Sequence, residues 1–384
     1  MKILNIVSSV NPSGGGPIEI IKQLSILLNN EKHTCYTLSL DQPNADFLQD
    51  YPPDKIFAIG PAISSYYFSP KLISWLLING KNFDIIIVHG IWQFTSFGTF
   101  LSFLLSGFQI PYIIYPHGML DPWFNRTYPI KHIKKYIYWP LEFLTLHFAR
   151  FVMYTCQEEM KLAQCSFKPY SCRPIVFNFG ISLGNNSLNP EDEHCFFEQY
   201  PDLINKQIIL FLGRIHSKKG CDILIDSFAQ VHHNYPCLHL VIAGPDQQLL
   251  ANSLVKKSKQ LNIEDKITFT GMIKGKAKLS LLKVADVFAL SSHQEALPIS
   301  VVEALSNKLP VLISDKVNIW REIEQDGAGL VSNDDVSGTT EILRKWLNLS
   351  IEEKQKMREN AEKCYFSRFN IANVAENLEE IMKT

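Results

Sequence analysis

Residues 208–220 read IILFLGRIHSKKG, and the prediction of the fold begins with this stretch. The unbroken apolar run 208–212 predicts a β-strand that is buried on both faces. Gly213 predicts a tight turn after the strand, and a helix is expected to begin near Asp222. A buried strand followed by a turn and a helix is the first half of a βαβ unit, so the stretch predicts a parallel sheet covered by helices.

The same alternation continues in both directions along the chain. Strands are predicted at 3–7, 34–38, 85–88, 112–115 and 151–154, and then at 208–212, 238–243, 267–270, 287–290 and 310–313. Apolar residues at helical spacing predict a helix over 18–28. The polar, acidic segment 184–202 predicts a linker and the first helix of a second domain. We therefore expect a domain over 1–183, a second over 184–364 and a final helix over 365–384.

Composition limits the class of protein. A chain of 384 residues suits two domains, and a hydrophobic share of 46% is ample for two cores. A charged share of 20% and a net charge of −1 argue against disorder and against nucleic acid as a partner. The eight cysteines form no C-x-x-C pair, so scattered reduced thiols are expected. The first apolar run, 3–7, is too short for a secretion signal, which predicts a cytosolic protein.

Two cationic side chains follow the predicted strand 208–212. Arg214 and Lys219 lie in the turn between strand and helix, where open α/β sheets bind their ligands. Cations beside a helix N-terminus form a receptor for phosphate groups. The alternative, that these are ordinary solvated turn residues, stays open on this motif alone.

A pair of carboxylates follows a later strand. Glu295 is expected in the loop after strand 287–290, and Glu303 on the second turn of the next helix. Carboxylates accept hydrogen bonds from vicinal hydroxyls, so one could hold a sugar and the other a ribose. Amides after Pro298 would add positive charge for a diphosphate. An ordinary helix with surface glutamates is the alternative.

In their order and spacing, four stretches of the second half resemble the retaining glycosyltransferase family 4, which has the GT-B fold. They are GRIHSKKG (213–220), VIAGPD (241–246), FTG (269–271) and ADVFALSSHQEALPISVVEAL (285–305). The resemblance implies an α/β fold of two Rossmann-like domains that face each other across a cleft, with the C-terminal helix crossing back to the first domain. It places Glu295 at the reacting sugar, Glu303 at the ribose, and Arg214 and Lys219 at the diphosphate.

The resemblance also implies further donor-binding residues. Gly271 and Met272 would line the base pocket, and Leu297 and Ile299 would lie beside the donor after Glu295. Many relatives have a glycine-rich run where this chain has Ala296, Leu297 and Pro298, which should narrow the choice of donor sugar.

The first half carries a glycine-rich loop and two histidines. Gly15 and Gly16 lie between the first strand and the first helix, where the resemblance implies that they reach the donor diphosphate and the acceptor. The loop is not G-x-G-x-x-G, so a nicotinamide cofactor is not expected. His117 matches the family position that meets the donor sugar, although one loop histidine is often structural. His89 also ends a strand, and acceptor contact and packing are equally open for it.

The segment 123–151 interleaves basic and aromatic side chains, with Glu142 as its one acid. Such a face suits an anionic membrane surface and a lipid-linked acceptor. The alternative is a helix whose aromatic side chains face the core.

The sequence thus predicts a glycosyltransferase that uses a nucleoside-diphosphate sugar as co-substrate and needs no cofactor. No metal is expected, since the sequence has no D-x-D motif to hold one, and nucleic acid is not an expected partner. Its acceptor would be a glycan or lipid-linked molecule, in polysaccharide synthesis. Two rivals stay open: a sugar-nucleotide epimerase on the same fold, and a family member that binds sugar nucleotide without catalysis.

Overall fold

The computed structural model describes residues 1–12, 18, 21–23, 25, 26, 33–177, 180, 190–246, 248–296 and 298–371. The chain divides into two compact units, one that includes Met1–Gly180 and one that consists of Ile181–Asn370. Each unit is a parallel sheet with helices packed against it.

The first unit is built on seven strands. They are β1 (Lys2–Val7), β2 (Thr34–Ser39), β3 (Ile56–Ala58), β4 (Ile85–His89), β5 (Tyr112–Tyr115), β6 (Phe151–Tyr154) and β7 (Pro174–Val176). Their order is β3-β2-β1-β4-β5-β6-β7, and every pair is parallel. Helices Lys71–Asn79, Phe94–Leu105, Pro122–Thr127, Pro129–Phe148 and Gln157–Gln164 connect them.

The second unit repeats this plan with six strands. They are β8 (Gln207–Leu212), β9 (Leu238–Ala243), β10 (Ile267–Gly271), β11 (Val287–Leu290), β12 (Val311–Ser314) and β13 (Gly329–Ser332), in the order β10-β9-β8-β11-β12-β13. The helices of this unit are Pro190–Gln199, Cys221–Val231, Ala251–Gln260, Gly275–Val284, Ile299–Ser306, Trp320–Gln325, Val336–Leu347 and Ile351–Cys364. The strand order reverses between β8 and β11, as it does between β1 and β4 in the first unit, and such a switch point is where open α/β sheets bind ligands.

Burial explains why the central strands form. All five residues of β4 are buried, as are all six of β9, because helices cover both faces of each sheet. Side chains of the first core include Leu4, Val88 and Ile114, which lie on neighbouring strands. Burial of apolar surface on both faces is the main stabilising contribution in such a sheet.

The predicted strands are confirmed to within one residue at either end, but three strands were not predicted. β3, β7 and β13 are short and mostly half-exposed or exposed, so they lack the apolar run that identifies a buried strand. The predicted helix over 18–28 falls partly, and the final helix over 365–384 mostly, outside the described residues. The boundaries at 183 and 364 remain predictions.

In the described part of the chain, no helix combines the length and the apolar character needed to cross a membrane.

Candidate functional site

The two loops at the switch point of the second sheet come from neighbouring strands. β8 and β11 pair in parallel, so their carboxyl ends lie at the same edge of the sheet. The loop after β8 carries Arg214, Lys218 and Lys219, and the loop after β11 carries Glu295. The topology therefore brings the predicted cations and the first predicted carboxylate to one place.

Glu295 and Lys219 form a buried ion pair there. Nζ of Lys219 lies 2.7 Å from Oε1 of Glu295, and Nζ of Lys218 lies 3.6 Å from the same oxygen. The relative exposure of Glu295 is 7% and that of Lys219 is 9%. Because water is largely excluded, the charges interact more strongly here than they would on the surface.

The charges also determine the protonation of Glu295. Burial alone would raise the pKa of this carboxyl, but Lys219 and Lys218 outweigh burial and lower the pKa below its ordinary value. Glu295 is therefore a carboxylate near neutral pH.

Backbone contacts hold the two loops against each other. The hydroxyl of Ser292 and the amide of His293 both donate to the carbonyl of Lys218, over 2.8 Å and 2.7 Å. Gly220 has a φ of +65°, and a Cβ added there would lie 2.0 Å from the carbonyl oxygen of Ser291. Only glycine fits this close approach, which places Lys219 next to the loop of Glu295.

Arg214 lies at the exposed rim of this cluster. It is close enough to lower the pKa of His216, after burial and Lys218, which are the larger causes. Nδ1 of His216 accepts from the amide of Lys218 over 3.1 Å, which fixes the turn between the cations. The loop thus presents Arg214, Lys218 and Lys219 within seven residues of the end of β8.

The second carboxylate is separate from the first. Glu303 lies on the helix Ile299–Ser306, with 23% of its side chain exposed, and Oε1 lies 2.7 Å from Nζ of Lys278. Ile299 is the first residue of the same helix and is partly exposed. The sequence does not predict the contact with Lys278, because this residue lies on another helix and belongs to no motif.

Gly271 and Met272 lie at the end of β10. Gly271 has a φ of +66°, and its carbonyl accepts from the amide of Gly244 over 2.8 Å. Met272 is 59% exposed, which is unusual for a large apolar side chain and leaves it available to a ligand.

The two histidines of the first unit contact each other. Nδ1 of His89 lies 2.9 Å from Nε2 of His117, and the rings stack with centroids 5.2 Å apart. His89 is 3% exposed, and burial lowers its pKa to about 3. His117 has a φ of +53° and follows the end of β5, at the carboxyl edge of the first sheet.

Some predicted positions cannot be located, and some contacts were not foreseen. Gly15, Gly16 and Leu297 lie outside the described residues. The contact of Lys218 with Glu295 is not predicted, because the sequence cannot tell which of two adjacent lysines points toward a carboxylate. In the sequence, Glu142 is only the one acid of a basic segment, but in the structure it is buried, and its Oε1 accepts from the amide of Trp92 over 2.9 Å.

Within the described residues, no group of three or more His, Cys, Asp or Glu side chains is arranged to hold a metal ion.

Known proteins resemble this chain over the region that carries the candidate site. Residues 196–364 match the family described as Glycosyl transferases group 1. Mannosylfructose-phosphate synthase from Agrobacterium fabrum is 26% identical over 265 residues, which is 64% of this chain and 56% of that protein. The chain spans about half the length of the curated relatives it matches.

Solved structures match over the whole chain. Sucrose-phosphate synthase from Thermosynechococcus elongatus has a TM-score of 0.80 at 17% identity, covering 100% of this chain and 98% of that one. HepE from Anabaena, solved in complex with UDP-glucose, has a TM-score of 0.77 at 16% identity, covering 100% and 99%. The two parallel sheets with their shared strand order have the GT-B fold of these structures, and the match to Glycosyl transferases group 1 covers residues 196–364, most of the second unit.

Proposed function

We propose that the protein transfers a glycosyl group from a nucleoside-diphosphate sugar to an acceptor hydroxyl, with retention at the sugar, in the synthesis of a polysaccharide or similar glycan. The observation that carries the proposal is the buried pair of Glu295 and Lys219 beside Lys218 and Arg214. The diphosphate leaves with negative charge, and fixed cations in a dry site stabilise such charge. Glu295 has the opposite sign and suits the positive charge that develops on the sugar.

Each residue has a role in this proposal. Lys219, Lys218 and Arg214 hold the diphosphate, and Glu295 lies at the reacting sugar. Glu303 accepts hydrogen bonds from the ribose hydroxyls, and its contact with Lys278 orients it for this. The base contacts Gly271 and Met272. The first unit binds the acceptor and contributes His117 to the sugar.

UDP-glucose is the first donor to test. HepE was solved with UDP-glucose, and its fold is the fold of this chain. The family resemblance of the motifs around Glu295 and Lys219 supports a sugar nucleotide in general, and the departure at Ala296 supports a narrow choice among sugars.

Phosphorus and proton NMR of the donor distinguishes the proposal from its rivals. The protein is incubated with UDP-glucose and other nucleotide sugars in excess chelator, with and without a sugar acceptor. The proposal predicts release of the nucleoside diphosphate that is faster with acceptor. An epimerase would change the configuration of the sugar and leave the bond between sugar and diphosphate intact. A protein that binds sugar nucleotide without catalysis would change neither. Activity lost in chelator and restored by magnesium or manganese would contradict the assignment of the positive charge to Lys219 and Arg214.

The proposal extends to the membrane through the helix Pro129–Phe148, here called the basic-aromatic helix. One face of this helix packs on the core, where Trp139 is 4% exposed. This face corresponds to the alternative of a helix whose aromatic side chains face the core. The opposite face exposes apolar side chains at helical spacing, namely Ile130, Ile133, Ile137, Leu144 and Phe148. Ile130 is 89% exposed, and Lys131 and Lys134 are exposed beside it.

An exposed apolar stripe with flanking lysines suits the surface of an anionic bilayer. The protein would then be cytoplasmic and peripheral on the inner face of the membrane, next to a lipid-linked acceptor. Each lysine near such a surface contributes about 1 kcal/mol.

Sedimentation with anionic liposomes tests this contact. Lys131→Glu with Lys134→Glu should abolish sedimentation, because both lysines border the stripe. The control is Lys256→Glu with Lys259→Glu, which makes the same charge change on exposed lysines of the helix Ala251–Gln260. If both variants lost binding equally, net charge rather than this helix would be responsible, and wild-type protein that ignores the liposomes at low salt would remove the membrane contact.

A further inference from the structure

Three polar side chains form a chain of hydrogen bonds at the switch point of the first sheet. Oδ1 of Asn5, on β1, lies 3.1 Å from Nε2 of His89 at the end of β4. Nδ1 of His89 lies 2.9 Å from Nε2 of His117. Asn5 is 5% exposed and His89 is 3% exposed, so the first bond is shielded from water.

The chemistry of the atoms gives this chain a direction. An amide oxygen can only accept, so Nε2 of His89 must carry a hydrogen and donate it to Asn5. A neutral imidazole has one hydrogen, so Nδ1 of His89 is then an acceptor. Nε2 of His117 must therefore carry the hydrogen that it donates to His89, and Nδ1 of His117 has none.

We infer that Asn5 and His89 are positioning residues that hold His117 in one neutral tautomer, with its hydrogen on Nε2 and an acceptor at Nδ1. Their register on the sheet supports this, because Asn5 pairs with Ile87, and His89 lies two residues further on the same face of β4. The arrangement is thus part of the sheet and not of a loop.

Burial favours the neutral forms that the chain requires. It lowers the pKa of His89 to about 3. Burial, and then the neighbouring His89, lower the pKa of His117 well below its ordinary value. Both rings therefore carry a single hydrogen near neutral pH, as the direction of the chain demands.

The backbone fixes the ring of His117 as well. Its φ of +53° lies in the left-handed region, which is unfavourable for a residue other than glycine. The buried carboxyl of Glu159 accepts from the amide of the following Gly118 over 2.6 Å and holds this turn. The ring of Tyr115 lies edge-on with its centroid 4.0 Å from that of His117.

The tautomer defines what His117 can do for a ligand. The lone pair at Nδ1 can accept a hydrogen bond from a hydroxyl. It cannot donate a proton to a leaving group or neutralise the charge of a phosphate. On the proposed function, on which this step rests, His117 would recognise a hydroxyl of the nucleotide sugar. The tautomer itself does not depend on that function.

Two-bond proton–nitrogen correlation spectra of ¹⁵N-histidine-labelled protein, without ligand and at neutral pH, test the inference directly. The signals of His89 and His117 are assigned by their loss in single variants. We expect both rings in the form with hydrogen on Nε2. A hydrogen on Nδ1 of either ring, or a charged ring, would overturn the inference.

Two substitutions of His89 separate the hydrogen-bond chain from packing. A glutamine carries one acceptor and one donor, like the neutral ring, so His89→Gln should keep the tautomer of His117. His89→Leu fills space without either group, and the signals of His117 should move toward a mixture of tautomers. If the leucine variant kept the wild-type signals, Asn5 and His89 would not position His117. Should that variant fail to fold, the wild-type spectrum still decides.

Saturation with UDP-glucose tests the ligand step. We expect the Nδ1 signal of His117 to move as a hydroxyl donates to it, and His89→Leu to lower kcat/KM about three- to tenfold, the range of one hydrogen bond. An unchanged Nδ1 signal despite bound UDP-glucose, measured by calorimetry, would overturn the hydroxyl contact. Absence of binding would count against UDP-glucose as donor and leave the tautomer result intact.

Discussion

Among single residues, Glu295 and Lys219 matter most, because each compensates for the burial of the other's charge. Removing water from either charge alone is costly, and the 2.7 Å contact between them offsets that cost. A nucleotide sugar would bring a negatively charged diphosphate to Lys219, whereas Glu295 would meet positive charge only as it develops on the sugar in the transition state. On the proposed function, the pair would thus offer a cation to the diphosphate and a carboxylate to the reacting sugar.

The two glutamates should respond differently to substitution. Glu295→Gln keeps the shape and removes the charge, so kcat should fall by at least about 100-fold while the donor still binds. Glu303→Ala should raise the donor KM about tenfold to a hundredfold with little change in kcat, because a ribose contact serves ground and transition states equally. Steady-state kinetics against donor concentration measures both. If both variants changed only KM, Glu295 would be a binding residue.

The sequence predicts roles for these residues, but it does not predict their partners in the fold. The spacing of Glu295 and Glu303 and the turn after 208–212 stand out because motifs are local in the chain. Lys278 lies 25 positions from Glu303, and Asn5 lies 84 positions from His89, so only the fold brings them together. Asn5 is also a polar residue within a buried strand, where no pattern distinguishes a functional side chain from a structural one.

At the scale of elements, the turn before the helix Cys221–Val231 sets the geometry of the site. Gly220→Ala adds a Cβ 2.0 Å from the carbonyl oxygen of Ser291, in a left-handed conformation. We expect a loss of unfolding free energy of more than about 2 kcal/mol and a higher donor KM, as the loop of Glu295 is displaced.

Gly107 is the matched control for Gly220. It has a φ of +67°, but an added Cβ meets no atom within 4 Å. Gly107→Ala should therefore cost only about 1 kcal/mol of backbone strain and leave the donor KM unchanged. Urea unfolding and donor kinetics compare the two, and equal losses would mean that the contact with Ser291 is unimportant.

The basic-aromatic helix is linked to the loop after β4 by Glu142. Its Oε1 accepts from the amide of Trp92 over 2.9 Å and from the hydroxyl of Ser96 over 3.0 Å. Burial raises the pKa of this carboxyl from 4.5 to about 7, although both hydrogen bonds oppose the shift. Glu142 therefore stabilises the fold in its protonated form.

Glu142 should give the free energy of unfolding a specific pH dependence. A raised pKa contributes stability that is complete below about pH 4.5 and is lost as the pH rises through about 7. The shift corresponds to about 3 kcal/mol. Glu142→Gln keeps an acceptor for Trp92 and Ser96 and cannot ionise, so its stability should fall less than that of wild type between pH 5 and 8. Parallel profiles in denaturant titrations would contradict this.

The sequence predicted the central elements better than the peripheral ones for a physical reason. β8, β9 and β11 are buried on both faces, so their apolar runs are continuous and easy to identify. β7 begins with Pro174 and has no buried residue, and β13 has one buried residue of four. Edge strands depend on pairing with a neighbour, and this dependence leaves little trace in composition.

For the whole molecule, the two units share a strand order and each carries polar side chains at its own switch point. In the first unit these are Asn5 and His89, and in the second Lys219 and Glu295. The repeat explains why the alternation of strands and helices in the sequence restarts near residue 208, and why the two candidate regions are far apart in the chain.

Ligand-induced stabilisation tests most directly whether the site of Lys219 binds a nucleotide sugar. Wild type, Lys219→Ala and Lys345→Ala are melted with UDP-glucose and a panel of nucleotide sugars in excess chelator, each against its own ligand-free baseline. Lys345 is the control, because it forms an exposed pair with Glu341 on the helix Val336–Leu347. A ligand at 100 times its Kd adds about 2.7 kcal/mol to the stability of the folded protein. We expect at least one nucleotide sugar to stabilise wild type and Lys345→Ala alike, and Lys219→Ala to lose most of the effect. A panel without any stabilising member, or a full effect in Lys219→Ala, would contradict the proposed site.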